Sequence, residues 1–175
     1  MKIEDIKKDD NQPLTIYCDL DGVEVNFSKF AKDHIGIDLD AAQTDKKLKG
    51  QFWSRVDKWV KDGKPFFGAM EPMPDAFVLW DYIKKHDPII LSATGHTKGA
   101  ANEKREWVRK HLGDHFADTA IFVRSATDKA QYATPDSILI DDRKKAIDPW
   151  IEANGIGVHH VSAEDSIEQL MALGL

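Results

Sequence analysis

The chain has 175 residues, 42% of them hydrophobic and 31% charged, with a formal net charge of -6. That composition excludes global disorder and fits one ordinary domain with a small insertion, because ~150 residues per domain is usual. The acidic balance argues against a nucleic-acid polymer as partner, which needs a basic face, yet admits a small phosphorylated ligand held by a local cation cluster or a metal.

Residues 1–12 are rich in Lys, Asp and Glu and lack the apolar stretch of a signal peptide, so a flexible lead-in is expected there. No apolar run approaches membrane-spanning length, and no membrane partner is expected. Cys18 is the single cysteine, which rules out an intramolecular disulfide and a multi-cysteine zinc site and points to a reducing, cytoplasmic compartment.

The first buried strand is expected over 14–18. The interval that follows, 23–74, is far longer than one crossover helix requires, and it is expected to be a helical insertion. Its apolar patterns place helices over 25–34 and 52–61, with turns at Gly63-Lys64-Pro65, Pro72 and Pro74. A core of 13–22 and 75–175 then alternates helix and strand. Helices are predicted over 75–85, 100–112, 144–154 and 163–173, and strands over 89–91, 120–123, 138–140 and 157–161. This rhythm implies an α/β fold, a Rossmann-like parallel sheet flanked by helices.

The strand ends carry the chemistry. The first run leads into Asp19-Leu20-Asp21-Gly22-Val23, two carboxylates two residues apart where ligands of parallel sheets bind. Their repulsion when ionised is relieved by a cation, and oxygen-rich ligation suits magnesium. Ser92 follows the second run, Lys129 comes shortly after the third, and Asp141-Asp142 ends the fourth. In a parallel sheet these groups converge.

In order and spacing, these four segments resemble the signature of the haloacid-dehalogenase superfamily, and the resemblance spans 14–145. Asp21 marks the phosphotransferase type. The resemblance implies that Asp19 is the nucleophile forming an aspartyl-phosphate, that Asp21 is the general acid and base, and that Ser92 and Lys129 hold the phosphoryl oxygens. It also implies Mg2+ held by Asp19, the Asp21 carbonyl, and Asp141 or Asp142. Lys104 competes with Lys129 for the phosphate-stabilising role, and Ala93 and Thr94 follow Ser92 at the phosphate.

The insertion is similar to that of the 5'(3')-deoxyribonucleotidase branch, which hydrolyses nucleoside monophosphates. Phe27, Phe52 and Trp53 match residues of the base pocket there, and Arg143 matches a residue beside the phosphate. Glu24 and Asn26 depart from that pattern, which usually has an apolar residue and an acid, and Ser92-Ala93-Thr94-Gly95 lacks its second consecutive hydroxyl. The expected substrate is a deoxyribonucleoside monophosphate. The alternatives are another small phosphate ester such as a sugar phosphate, or a catalytically weak nucleotide-binding protein. A homodimer is compatible with the sequence. Trp59, Trp80, Trp107 and Trp150 are assigned to packing, and the seven histidines show no metal-ligand spacing.

Overall fold

Five short apolar runs pair into one parallel sheet in a computed structural model that describes residues 13–175. The expected lead-in, 1–12, lies outside the described residues. Strand β1 (Thr15–Cys18) is followed by an insertion containing α1 (Phe27–Phe30), a π-helical turn (Ala31–Ile35), α2 (Leu39–Thr44) and α3 (Lys46–Lys61). The core resumes with α4 (Ala76–Ile83), β2 (Ile89–Ala93), α5 (Ala100–His111), α6 (Asp114–Thr119) and β3 (Ile121–Val123). A 3-10 helix (Ala126–Tyr132), β4 (Ser137–Asp141), α7 (Lys144–Glu152), β5 (Ile156–His159) and α8 (Ala163–Ala172) complete it.

The strand order is β3-β2-β1-β4-β5, and every pairing is parallel. From β1 the chain steps outward to β2 and β3, then returns to the other side of β1 for β4 and β5. The connections leaving β1 and β4 therefore run to opposite sides. That reversal opens a crevice at the carboxyl ends of these two strands, the switch point at which ligands bind in such sheets.

Alternation along the strands fills both faces. Ile16, Cys18, Ile138 and Ile140 join a large core that also takes in Phe30, Phe52, Val56 and Phe66 of the insertion, while Leu91, Leu139 and Trp150 form a second core. Trp80, Trp107 and Trp150 are buried, and Trp59 packs against the large core. Among the described residues no helix is long and apolar enough to cross a membrane.

The predicted core elements appear within a few residues of their expected bounds, but the insertion holds more helix than its apolar pattern predicts. Helix α3 begins at Lys46, six residues before the expected 52, because Asp45 caps it by accepting from Lys47 N (2.8 Å) and Leu48 N (3.1 Å). Its first turns carry three lysines and Gly50, with no apolar stripe. Asp38 caps α2 in the same way. The insertion's two ends are tied together, with Asn26 N donating to Glu71 O at 2.8 Å and Met73 N to Glu24 O at 2.8 Å.

Candidate active site

The register of β1 on β4 builds the site. Cys18 pairs with Ile140 and Asp19 N donates to Ile140 O at 2.9 Å, so Asp19 stands abreast of Asp141 at the switch point. Carboxylate oxygens of Asp19, Asp141 and Asp142 lie within 4.8 Å of one another. Two lysines face them. Lys129 Nζ is 2.9 Å from Asp19 Oδ1 and donates to Asp141 Oδ2 at 2.5 Å. Lys104 Nζ donates to Asp21 Oδ2 (2.6 Å), Ser92 Oγ (2.8 Å) and Ala93 O (2.9 Å).

Both lysines are 1% exposed, and burial of an ammonium is tolerated because each is matched to carboxylates. Lys129 reaches its place on the 3-10 helix after β3. That turn is set by a capping box in which Ser125 and Asp128 bond each other's backbone. The Ser125-x-x-Asp128 spacing is visible in the sequence and marks the turn.

Four carboxyls meet two ammonium groups, a formal deficit of two positive charges. Burial alone would raise the pKa of Asp19, but the ammonium groups of Lys129 and Lys104 outweigh it and hold this carboxyl below its ordinary value. Asp21 goes the other way: burial, with Asp19 adding its charge, outweighs Lys104 and raises it. Asp142 is pushed up to about 8 by burial and then by the charges of Asp19 and Asp141, and Asp141 to about 6 by burial and Asp19. The nucleophile candidate thus favours its ionised form more than an ordinary carboxyl does, and its neighbour Asp21 favours it less. This division suits attack by one carboxylate and proton donation by another.

The donor set fits a divalent cation. Hard carboxylate oxygens cluster there, and the buried Asp142 Oδ1 and Asp21 Oδ1 have no hydrogen-bond partner. Asp141, by contrast, has both oxygens engaged, one by Lys129 and one by Arg143 N at 2.9 Å. His159 Nε2 donates to the Asp142 carbonyl at 3.0 Å and steadies the loop from β5.

Gly22 makes room for this cluster. Its φ is +81°, and a Cβ there would stand 2.2 Å from Asp142 Oδ2. Gly22→Ala must displace Asp142, and we expect it to weaken divalent-ion affinity ~10- to 100-fold, the scale seen when the support of a metal ligand is lost. Calorimetric titration with Mn2+ measures this directly.

The remaining predicted residues are less uniformly placed. Thr94 turns its hydroxyl to Val123 O at 3.2 Å. Arg143 is exposed and contributes its backbone N–H to Asp141. Phe52 is 2% exposed and backs Phe27 (centroids 5.9 Å apart) and Trp53 (5.0 Å), while Trp53 is 38% exposed. A cavity of about 410 Å3 lies between Asn26, Lys29, Lys32 and Asp38, and no predicted site residue lines it. Sequence reasoning missed Phe67, whose ring covers Lys104 Nζ at 4.5 Å. It stands in an aromatic run whose periodicity gives no hint of a contact so distant along the chain.

This architecture recurs in solved structures. A haloacid dehalogenase-like family hydrolase from Streptococcus pneumoniae matches with a TM-score of 0.54 at 12% identity, covering 93% of this chain and 98% of its own. A HAD-superfamily hydrolase from Ehrlichia chaffeensis matches with a TM-score of 0.52 at 13% identity, covering 94% and 99%. The fold is that of the haloacid-dehalogenase-like hydrolases. No protein-family model and no curated protein matches the sequence. At these identities the likeness establishes the fold, and chemistry has to be argued from the side chains at the switch point.

Proposed function

We propose that this chain is a magnesium-dependent phosphomonoesterase working through an aspartyl-phosphate on Asp19. The observation that carries the reading is the ionised, lysine-paired Asp19 at the mouth of the β1/β4 crevice, among carboxyls that leave a divalent positive charge wanting.

An Asp19 oxygen attacks phosphorus as the ester P–O bond breaks, and Asp21, raised and within reach of Lys104, gives its proton to the departing oxygen. Water then attacks the phosphorus of the aspartyl-phosphate. Asp21 takes the water's proton, the acyl oxygen returns to Asp19, and inorganic phosphate leaves. Lys129, Lys104 and the Ser92 hydroxyl spread the charge of the phosphoryl oxygens. Asp19, Asp142 and the Asp21 carbonyl would hold Mg2+, which supplies Lewis-acid neutralisation of the phosphoryl group. Asp142 is assigned as the direct ligand over Asp141 because it alone of the two keeps an unengaged carboxylate oxygen.

Because ligands must be deprotonated to bind, ion binding is expected to release a proton from Asp142. Below about pH 8, the value to which Asp142 is pushed, Mg2+ affinity should fall by about 10-fold per pH unit, as one displaced proton requires. Calorimetry at pH 7 in buffers of differing ionisation enthalpy counts that proton, and a buffer-independent heat contradicts the assignment.

For the leaving group we propose a deoxyribonucleoside, held by the helical insertion 23–74 acting as a cap. The partly exposed rings of Trp53 and Phe27 support this reading, since aromatic faces stack bases at ~1 to 3 kcal/mol each. The burial of Phe52 within the insertion's core favours a second reading, a sugar phosphate. Steady-state rates on both ester classes with Mg2+ separate them. Turnover of nucleoside monophosphates carries the first, and activity confined to sugar phosphates carries the second.

A further inference from the structure

Helix α5 does two jobs with adjacent residues. Lys104 reaches into the crevice, and Glu103 grips the segment that leads the chain back from the insertion. Glu103 Oε2 accepts from three consecutive amides, Phe66 N (2.7 Å), Phe67 N (2.7 Å) and Gly68 N (3.1 Å). Successive amides converging on one oxygen make an anion nest, and here the anion comes from the protein's own core. One turn further along, Trp107 Nε1 donates to Met70 O at 2.8 Å. On the insertion side, Trp59 Nε1 donates to Pro65 O at 2.9 Å. The 65–70 segment is thus a strap pinned to α3 at one end and to α5 along the rest.

The strap carries two buried rings that back the site. Phe67 covers Lys104 Nζ and stacks on Phe27 (6.2 Å, 29° between planes), and Phe66 packs edge-on against Phe27 (5.8 Å). Trp53 and Phe52 continue the same cluster. Lys104 has three polar partners of its own and does not need the strap to hold it. The strap therefore fixes the buried Phe66 and Phe67 that back Phe27 and Lys104, and Glu103 fixes where the strap stands.

We propose that Glu103 is a positioning residue that latches this strap to the core and thereby sets which leaving groups the site accepts. The proposal rests on the phosphomonoesterase reading. Esters whose leaving group reaches Phe27, which Phe66 and Phe67 back, depend on the latch, whereas acetyl phosphate, too small to reach it, does not.

The test compares wild type, Glu103→Gln, Glu103→Asp and Phe67→Leu on acetyl phosphate and on the larger ester that the wild type turns over. Glu103→Gln removes the charge from three charge-assisted hydrogen bonds, so KM for the larger ester should rise about 10-fold with kcat within about 2-fold. Acetyl phosphate kinetics should not change. Amide exchange at Phe66, Phe67 and Gly68 should quicken at least about 10-fold in the same variant. Glu103→Asp, which keeps the charge, should recover part of both effects. Phe67→Leu should reproduce the KM rise with the three amides still protected. Unchanged amide exchange, unchanged KM, or equal losses on both substrates overturns the latch. A wild type that hydrolyses no phosphate ester overturns the phosphomonoesterase reading first and the proposal with it.

Discussion

Asp19→Asn protein is expected to hydrolyse phosphate esters at least about 10^4-fold more slowly than wild type, the scale on which loss of a covalent nucleophile is felt. The amide is nearly isosteric with the carboxylate, so the strand end keeps its shape and the amide oxygen can still accept from Lys129. What it lacks is the charge that makes the oxygen a nucleophile at phosphorus and a ligand for a hard cation. Lys129 would retain Asp141 at 2.5 Å, so no buried ammonium is stranded and the melting temperature should stay close to wild type. A rate loss without unfolding is the signature sought, measured as turnover beside a melting curve on one preparation. Comparable Mg2+-dependent rates in both proteins would remove Asp19 from the reaction.

The second large effect concerns stability. Glu24 has no exposed surface, its Oε2 has no partner, and its Oε1 receives only a long contact from Cys18 Sγ at 3.8 Å. Burial, with the charge of Asp75 adding to it, pushes its pKa up to about 8 from an ordinary 4.5. Below pH 4.5 the group is protonated in both folded and unfolded chains and has no net effect. Between 4.5 and 8 the unfolded chain releases the proton while the folded one keeps it. Stability therefore falls as pH rises through that window, by about 1.4 kcal/mol per pH unit. At pH 7 the loss amounts to roughly 3 kcal/mol, and Glu24→Gln, which cannot ionise, should recover it. For a chain of this size that is about 6 to 12 °C in Tm. The gain should shrink toward zero near pH 4.5 and level off above pH 8. Melting temperatures that differ by the same amount at every pH would show that Glu24 does not carry this proton.

Glu24 also shows how far the sequence could be read. Its departure from the nucleotidase pattern, an acid at a position that is apolar there, was visible in the sequence, and the structure shows the acid in apolar surroundings. Its burial followed from the hinge at the insertion's two ends, where Met73 N bonds Glu24 O across the whole length of the insertion. The candidate catalytic cluster was legible for the opposite reason. Asp19, Ser92 and Asp141 each sit at or beside the end of an apolar run, and parallel pairing brings strand ends together without further information. Lys129 needed one extra signal, the Ser125 and Asp128 box. Glu103 and Phe67 gave none, because an acid in the first turn of a helix and one ring among several look like ordinary cap and core. The start of α3 was hidden because lysines and Gly50 mask the periodicity that its Asp45 cap restores.

The account depends on a divalent ion and a phosphorylated Asp19 sharing one site between β1 and β4. A crystal soaked with Mn2+ and beryllofluoride tests this most directly, since the manganese is located by anomalous scattering and the fluoride marks the phosphoryl position. The structure predicts beryllofluoride on an Asp19 oxygen and manganese contacted by Asp19 and Asp142 beside it, with Lys129 on the fluorines. Manganese bound elsewhere, or beryllofluoride absent from Asp19, would contradict the mechanism.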